Sequence, residues 1–170
     1  EPLLEAPEEI IEIPISEKPG GKDQNGLLIA ILGRPSIEIT VKGLVVILHG
    51  LGGSVKRQGL RRMAFNLRNA GFAVLKINLR GADLSRTSVG GTYAADCTSD
   101  LKGVFIKARA LCKEISAMQG MSNNPIPLFG VGISLGGTIL LNACLLTQSN
   151  SINNKHFIDG LVCTSSPLDL

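Results

Sequence analysis

The chain has 170 residues, of which 44% are hydrophobic and 18% are charged, so it can bury a substantial core within one domain. The net charge is only +3, the charges form no block, and aromatic residues make up 4% of the chain, which excludes the usual pattern of a nucleic-acid binder. No apolar run reaches the roughly 20 residues of a membrane span, and the amino-terminal part lacks the pattern of a signal peptide. We predict a cytoplasmic protein with no stable membrane insertion.

The amino-terminal part predicts a pair of strands. Residues 1–8 are rich in Pro and Glu and predict a loose lead-in, after which a β-branched run at residues 10–15 indicates the first strand. Turn-forming residues at 19–26 separate it from a second apolar run, Leu27–Leu32. We expect the two runs to pair as an antiparallel hairpin.

The middle of the chain predicts a strand, a helix and a second strand. Leu44–Leu48 and Ala73–Leu79 are continuous apolar runs, which are typical of strands buried on both faces. Between them, apolar residues recur at helical spacing over 60–70, and Gly71 follows as a stop signal. This order is typical of a parallel crossover unit.

The same alternation continues to the end of the chain. The predicted elements are a helix over 101–112, a strand over 128–131, a helix over 135–146 and a last strand over 157–163. Strands alternating with helices predict an α/β fold, with a mostly parallel sheet covered by helices on both faces.

The segment Gly132–Gly136 carries the strongest chemical signal. It matches the pattern Gly-x-Ser-x-Gly, in which a serine, here Ser134, sits on a tight turn between a strand and a helix with its hydroxyl clear of the sheet. An apolar strand precedes it and a helical pattern follows it. We interpret Ser134 as a nucleophile, with a tight helix-packing turn as the structural alternative.

A second glycine-rich segment, His49–Gly53, follows the strand that ends at Leu48 and lies 85 residues before the serine, counted from His49. Glycines here leave backbone N–H groups exposed. Together with the N–H of Leu135, such groups can stabilise the negative charge that develops on a carbonyl oxygen in acyl transfer. We predict that the side chain of His49 only caps or packs.

The two glycine-rich segments belong to a series of six that follow one another in a specific order. The six segments are Leu48–Ser54, Gly71–Val74, Asn78–Gly81, Thr98–Leu101, Gly132–Gly137 and Ser165–Pro167. With this series, residues 27–170 resemble the α/β-hydrolase superfamily, most closely its YheT-like branch of esterases. The resemblance implies an eight-stranded, mostly parallel sheet entered through an antiparallel hairpin, and serine-ester hydrolysis without a cofactor.

The resemblance also implies roles for individual residues. Ser134 is the nucleophile, and the backbone N–H groups of Leu51 and Leu135 form the oxyanion hole. Gly132, Gly136, His49 and Gly50 support the nucleophile turn and the oxyanion loop. Three further matching positions, Arg80, Gly81 and Asp100, are interpreted as structural or pocket-forming.

The acid and the histidine of a catalytic triad are missing in the family's order. Only 36 residues follow Ser134, and their one histidine, His156, precedes both acids, Asp159 and Asp169. The simplest interpretation is the amino-terminal portion of a longer hydrolase, lacking the last strands. We therefore assign residues 1–26 to a lead-in, first strand and turn, and 27–170 to a partial α/β-hydrolase domain.

The four cysteines indicate no metal site. Cys97, Cys112, Cys144 and Cys163 form no Cys-x-x-Cys pair and show no zinc spacing, and three of them fall in apolar helix or strand patterns. Such residues behave as small buried hydrophobes, which favours a reducing compartment.

The predicted function is hydrolysis of small carboxylic esters of the short-chain or acylglycerol type, with an apolar acyl chain, through an acyl-serine. These 170 residues alone are predicted to be nearly inactive. Two alternatives stay open: a non-catalytic binding module on a degraded hydrolase fold, and an acyltransferase that uses the same serine. A nucleotide site is disfavoured because neither glycine-rich segment completes Gly-x-Gly-x-x-Gly.

Overall fold

A computed structural model describes residues 7–121, 124–149 and 157–167. Within these ranges the chain forms one six-stranded sheet in the order β1-β2-β4-β3-β5-β6. The strands are β1 (Glu8–Ile15), β2 (Gly26–Gly33), β3 (Gly43–Leu48), β4 (Phe72–Ile77), β5 (Leu128–Ile133) and β6 (Gly160–Thr164). The α-helices are α1 (Gln58–Asn69), α2 (Asp100–Met118) and α3 (Leu135–Ser149).

The first two strands form the predicted antiparallel hairpin. The pairing runs from Glu8 opposite Gly33 to Ile15 opposite Gly26. In β1 the buried positions alternate with exposed ones, because one face of the strand packs on the core and the other faces solvent. β2 then pairs antiparallel with β4 and so joins the hairpin to the rest of the sheet.

The other four strands are parallel, and helices cover both of their faces. β3 is buried along its whole length, as its continuous apolar sequence predicts. Val45 and Ile47 pack against α1 on one face, whereas Leu44, Val46 and Leu48 belong to the larger core built with α2 and α3 on the other. The predicted mostly parallel α/β fold is therefore confirmed. None of the helices in the described ranges is long and apolar enough to cross a membrane.

Several predicted boundaries differ from the structure, and three of the differences have a clear physical reason. β6 begins at Gly160 instead of Phe157, because the Phe157 ring stacks on Phe105 at 5.5 Å and packs against the core before the strand begins. β4 ends at Ile77 instead of Leu79, whose N–H turns to the His49 ring. α2 continues beyond residue 112 to Met118, since its buried face extends through Ile115.

All four cysteines are free thiols. Burial raises the pKa of Cys112 and of Cys144 to about 11, so both thiols stay protonated near neutral pH.

The buried guanidinium of Arg80, three residues after the end of β4, joins three segments of the chain. Arg80 is fully buried and forms a bidentate pair with Asp100 at the start of α2, with N–O distances of 2.9 and 2.7 Å. Its remaining N–H groups donate to the carbonyls of Ser16, Glu17 and Gly90. All five donors of the guanidinium are therefore satisfied, which a buried arginine requires.

We expect Asp100→Asn to lower the free energy of unfolding by about 3 kcal/mol, because it leaves a buried guanidinium without its counter-charge. Urea denaturation measures the change. Glu9→Gln is the matched control, since it removes one charge from the more exposed Arg34–Glu9 pair and should cost at most about 1 kcal/mol. Equal losses in the two variants would contradict the structural role of Asp100.

Candidate active site

Ser134 occupies a strained turn between β5 and α3. Its φ is +52°, in the left-handed region that few residues other than glycine adopt. The Ser134 N–H donates to the carbonyl of Thr164 at 2.8 Å, and the Ser134 carbonyl accepts from the N–H groups of Gly137 and Thr138. The turn is thus held by β6 on one side and by the first turn of α3 on the other.

Glycines around Ser134 allow the backbones of three elements to touch. A Cβ at Gly132 would lie 2.3 Å from the Cα of Gly137, and a Cβ at Gly136 would lie 2.3 Å from the carbonyl oxygen of His49. Both distances are far below van der Waals contact, so no side chain fits at either position. The glycines of the motif are therefore required by the close approach of β5, α3 and the end of β3.

We expect Gly132→Ala to destabilise the fold by several kcal/mol or to prevent folding, because the added methyl group would overlap backbone atoms. Gly59→Ala is the control: nothing lies within 4 Å of its Cβ position in α1, so alanine should stabilise by about 0.5–1 kcal/mol. Thermal unfolding of both variants measures the effects. A folded Gly132→Ala variant of unchanged stability would contradict the close packing.

The loop after β3 lies directly against the serine. A Cβ at Gly50 would lie 2.9 Å from the Cβ of Ser134 and 3.5 Å from its Oγ. The next residue, Leu51, points its side chain outward with 78% of it exposed. Within the described residues, the N–H groups of Leu51 and Leu135 donate no hydrogen bond.

His49 is fully buried, and both of its ring nitrogens form hydrogen bonds with backbone groups. Its Nε2 lies 3.2 Å from the backbone N–H of Leu79 and therefore accepts, so the ring proton is on Nδ1 and donates to the Gly50 carbonyl at 2.8 Å. Burial lowers the pKa of His49 and outweighs the opposite effects of the Gly50 carbonyl and the Asp83 carboxylate. The ring is a neutral structural group that orients Gly50.

This neutral ring predicts a dependence of stability on pH. The unfolded chain protonates His49 near the ordinary pKa of 6.5, whereas the folded chain protonates it only at lower pH. The contribution is therefore fully present above about pH 7 and is lost as the pH falls, with a slope of at most about 1.4 kcal/mol per pH unit for one proton. Urea denaturation between pH 7.5 and 5 should give a shallower slope for His49→Asn than for the parent chain, and equal slopes would contradict the assignment.

Two polar side chains to which the sequence assigned no role also contact this loop. Asn78 accepts a hydrogen bond from the Val55 N–H at 3.1 Å, and the Tyr93 hydroxyl contacts the backbones of Gly50 and Gly52. The sequence offers only one signal for Tyr93: it is the single tyrosine of the chain and lies in a long loop after β4. No local pattern shows that this loop returns to the glycine-rich segment.

The described residues place no base beside the serine. Ser134 Oγ makes no hydrogen bond within them, and Asp159 is instead paired with Arg109 at 2.8 and 3.2 Å. His156 and Asp169 lie outside the described residues. In the part of the chain that the structure describes, no group of three His, Cys, Asp or Glu side chains could hold a metal ion.

Comparison with known proteins identifies the family. Residues 39–170 match the sequence model of the family described as serine aminopeptidase, S33, which covers more than half of the chain. The chain therefore belongs to this family of α/β-hydrolases. The YheT-like branch within the superfamily stays a prediction.

Among the proteins that it resembles is the medium-chain fatty acid ethyl ester synthase/esterase 2 of Saccharomyces cerevisiae, which is 32% identical over 100 residues, 58% of this chain and 20% of the yeast protein. Solved structures show the same fold. One is a soluble variant of the S. cerevisiae monoglyceride lipase in complex with a substrate analog, with a TM-score of 0.63, 24% identity, and coverage of 91% of this chain and 45% of the lipase.

A second similar structure is an α/β serine hydrolase without a lid from Xanthomonas campestris, with a TM-score of 0.63 and 19% identity. It covers 96% of this chain, and the chain covers 63% of that protein. In all three comparisons the chain spans less than two thirds of its relative's length.

Proposed function

We propose that the protein is a serine esterase in which Ser134 is the nucleophile. One observation carries the proposal: Ser134 adopts a positive φ between β5 and α3, against a glycine loop, and the N–H groups of Leu51 and Leu135 have no partner among the described residues. This is the arrangement that a nucleophile turn and an oxyanion hole need. Gly132 and Gly136 support it by allowing the close backbone contacts, and His49 and Gly50 shape the loop.

In this mechanism Ser134 Oγ attacks the ester carbonyl carbon and transfers its proton to a general base. The carbonyl oxygen becomes an oxyanion that accepts hydrogen bonds from Leu51 and Leu135. The tetrahedral intermediate collapses, the alkoxide leaves with the proton from the base, and an acyl-serine remains. Water then attacks the acyl-serine in the same way and releases the carboxylic acid.

His49 is not proposed as the general base, because both of its nitrogens are engaged and burial lowers its pKa, which disfavours the charged ring that accepting a proton would create. The sequence after Ser134 also lacks an acid followed by a histidine, the order that this family uses. We therefore propose that the 170 residues alone turn over esters very slowly. Loss of a triad partner costs several orders of magnitude in rate and leaves only what the oxyanion hole and substrate binding supply.

The proposed substrate is a small ester with an apolar acyl chain. Two relatives support this class by name, a fatty acid ethyl ester synthase/esterase and a monoglyceride lipase. The exposed Leu51 side chain offers apolar surface beside the serine. We further propose that the protein works in the cytoplasm, where its four free thiols stay reduced.

A second candidate is acyl transfer to an alcohol. The yeast relative is named both a synthase and an esterase, and the two reactions share the acyl-serine. They differ only in whether water or an alcohol attacks it. Product analysis with a fatty acyl ester in water and in dilute ethanol separates the two, since only an acyltransferase forms the ethyl ester faster than free acid.

A fluorophosphonate probe tests the nucleophile. We expect the complete product of the gene to be labelled, and Ser134→Ala to abolish the labelling, because the probe forms a covalent bond only with an activated serine. The 170-residue chain should be labelled at least a hundredfold more slowly. Gel fluorescence against time measures all three rates.

Ser36→Ala is the matched control, since it removes one exposed serine from the turn after β2 and should leave labelling unchanged. A folded complete protein that stays unlabelled would contradict the nucleophile and favour the non-catalytic binding module. Rapid labelling of the 170-residue chain would instead contradict its proposed inactivity.

A further inference from the structure

The hydroxyl of Tyr93 bridges the two peptide groups that flank Leu51. It accepts a hydrogen bond from the Gly52 N–H at 2.7 Å and donates one to the Gly50 carbonyl at 3.1 Å. Both contacts come from one side chain located about forty residues further along the chain. The oxyanion loop is thus held on both sides of the N–H that the proposed function requires.

At Gly50 the loop has other contacts, because the Gly50 carbonyl also accepts hydrogen bonds from the His49 ring at 2.8 Å and from the Gly53 N–H at 3.1 Å. At Gly52 the loop depends more on Tyr93, because its hydroxyl accepts the Gly52 N–H and a glycine has no side chain of its own to pack. The exposed Leu51 side chain does not anchor the peptide either. One more contact comes from Arg57, which donates to the Gly52 carbonyl at 2.9 Å. Arg57 is exposed and reaches the loop through a long, flexible side chain, whereas the Tyr93 ring is half-buried and loses less conformational freedom when its hydroxyl bonds the loop.

Tyr93 is itself held in place by the buried part of the fold. Its N–H donates to the carbonyl of Arg80 at 3.1 Å, and its ring packs against the larger core. The ring also meets the His49 ring edge to face, with 5.3 Å between centroids and an angle of 84° between the planes. The hydroxyl therefore starts from a fixed position before any substrate binds.

We propose that Tyr93 is a positioning residue for the oxyanion hole. Its hydroxyl orients the Leu51 N–H toward the oxygen of the tetrahedral intermediate. The inference rests on the proposed function. Donors that are fixed beforehand stabilise developing charge without reorganisation, so a loosened loop raises the barrier of the chemical step more than it weakens substrate binding.

Tyr93→Phe tests the inference, because it removes the hydroxyl and keeps the ring that packs on His49. In the complete protein we expect kcat to fall about tenfold with KM nearly unchanged. Affinity for a trifluoromethyl ketone, which forms an oxyanion adduct on serine, should fall by a similar factor. Hydrogen exchange of the Gly52 amide should become at least tenfold faster, a readout that does not depend on activity.

Ser88→Ala is the matched control, since it removes another hydroxyl of the same long loop, one that donates to the Leu27 carbonyl at 2.9 Å, away from Leu51. It should change none of the three readouts. Unchanged Gly52 exchange in Tyr93→Phe, or faster exchange with unchanged kcat, would overturn the positioning role. A parent protein that no fluorophosphonate labels would instead overturn the proposed function, while the exchange measurement would still report whether the hydroxyl holds the loop.

Discussion

The geometry around Ser134 depends on direct contact between backbones that carry no side chains. Gly132 lies against Gly137, and Gly136 lies against the carbonyl of His49, at distances that exclude even a methyl group. These contacts bring the end of β3 and the start of α3 to the same point at the edge of the sheet. The positive φ of Ser134 is tolerated because β6 and α3 hold its peptide groups on both sides.

Buried polar groups then fix the loops that surround this contact. Arg80 joins the β1–β2 turn, the loop after β4 and the start of α2, and its carbonyl accepts the N–H of Tyr93. The Tyr93 hydroxyl in turn bonds the backbones of Gly50 and Gly52, and the buried His49 ring bonds the Gly50 carbonyl. The exposed part of the site is therefore joined by hydrogen bonds to two buried residues, Arg80 and His49.

The sequence predicts the sheet and the tight turn at Ser134 well because both signals are local. Continuous apolar runs mark β3 and β4, and Gly-x-Ser-x-Gly encodes a turn within five residues. The start of β6 was predicted wrongly, since Phe157 is apolar for packing on Phe105 and not for strand pairing. Tyr93 could not be predicted because its contacts with Gly50 and Gly52 join distant parts of the chain, and hydrogen bonds of this kind leave no periodic pattern.

The arrangement of His49 separates two functions that a histidine near a serine can have. A general base needs one nitrogen that faces the hydroxyl and a pKa near the working pH. In His49 neither nitrogen is free to face the hydroxyl, since Leu79 and Gly50 occupy both, and burial lowers its pKa. The ring instead stays uncharged in the interior and donates a hydrogen bond to the carbonyl of Gly50. The serine and its proposed oxyanion donors are thus organised independently of the proton-transfer groups, so the described residues can preserve the shape of the site without supplying its base.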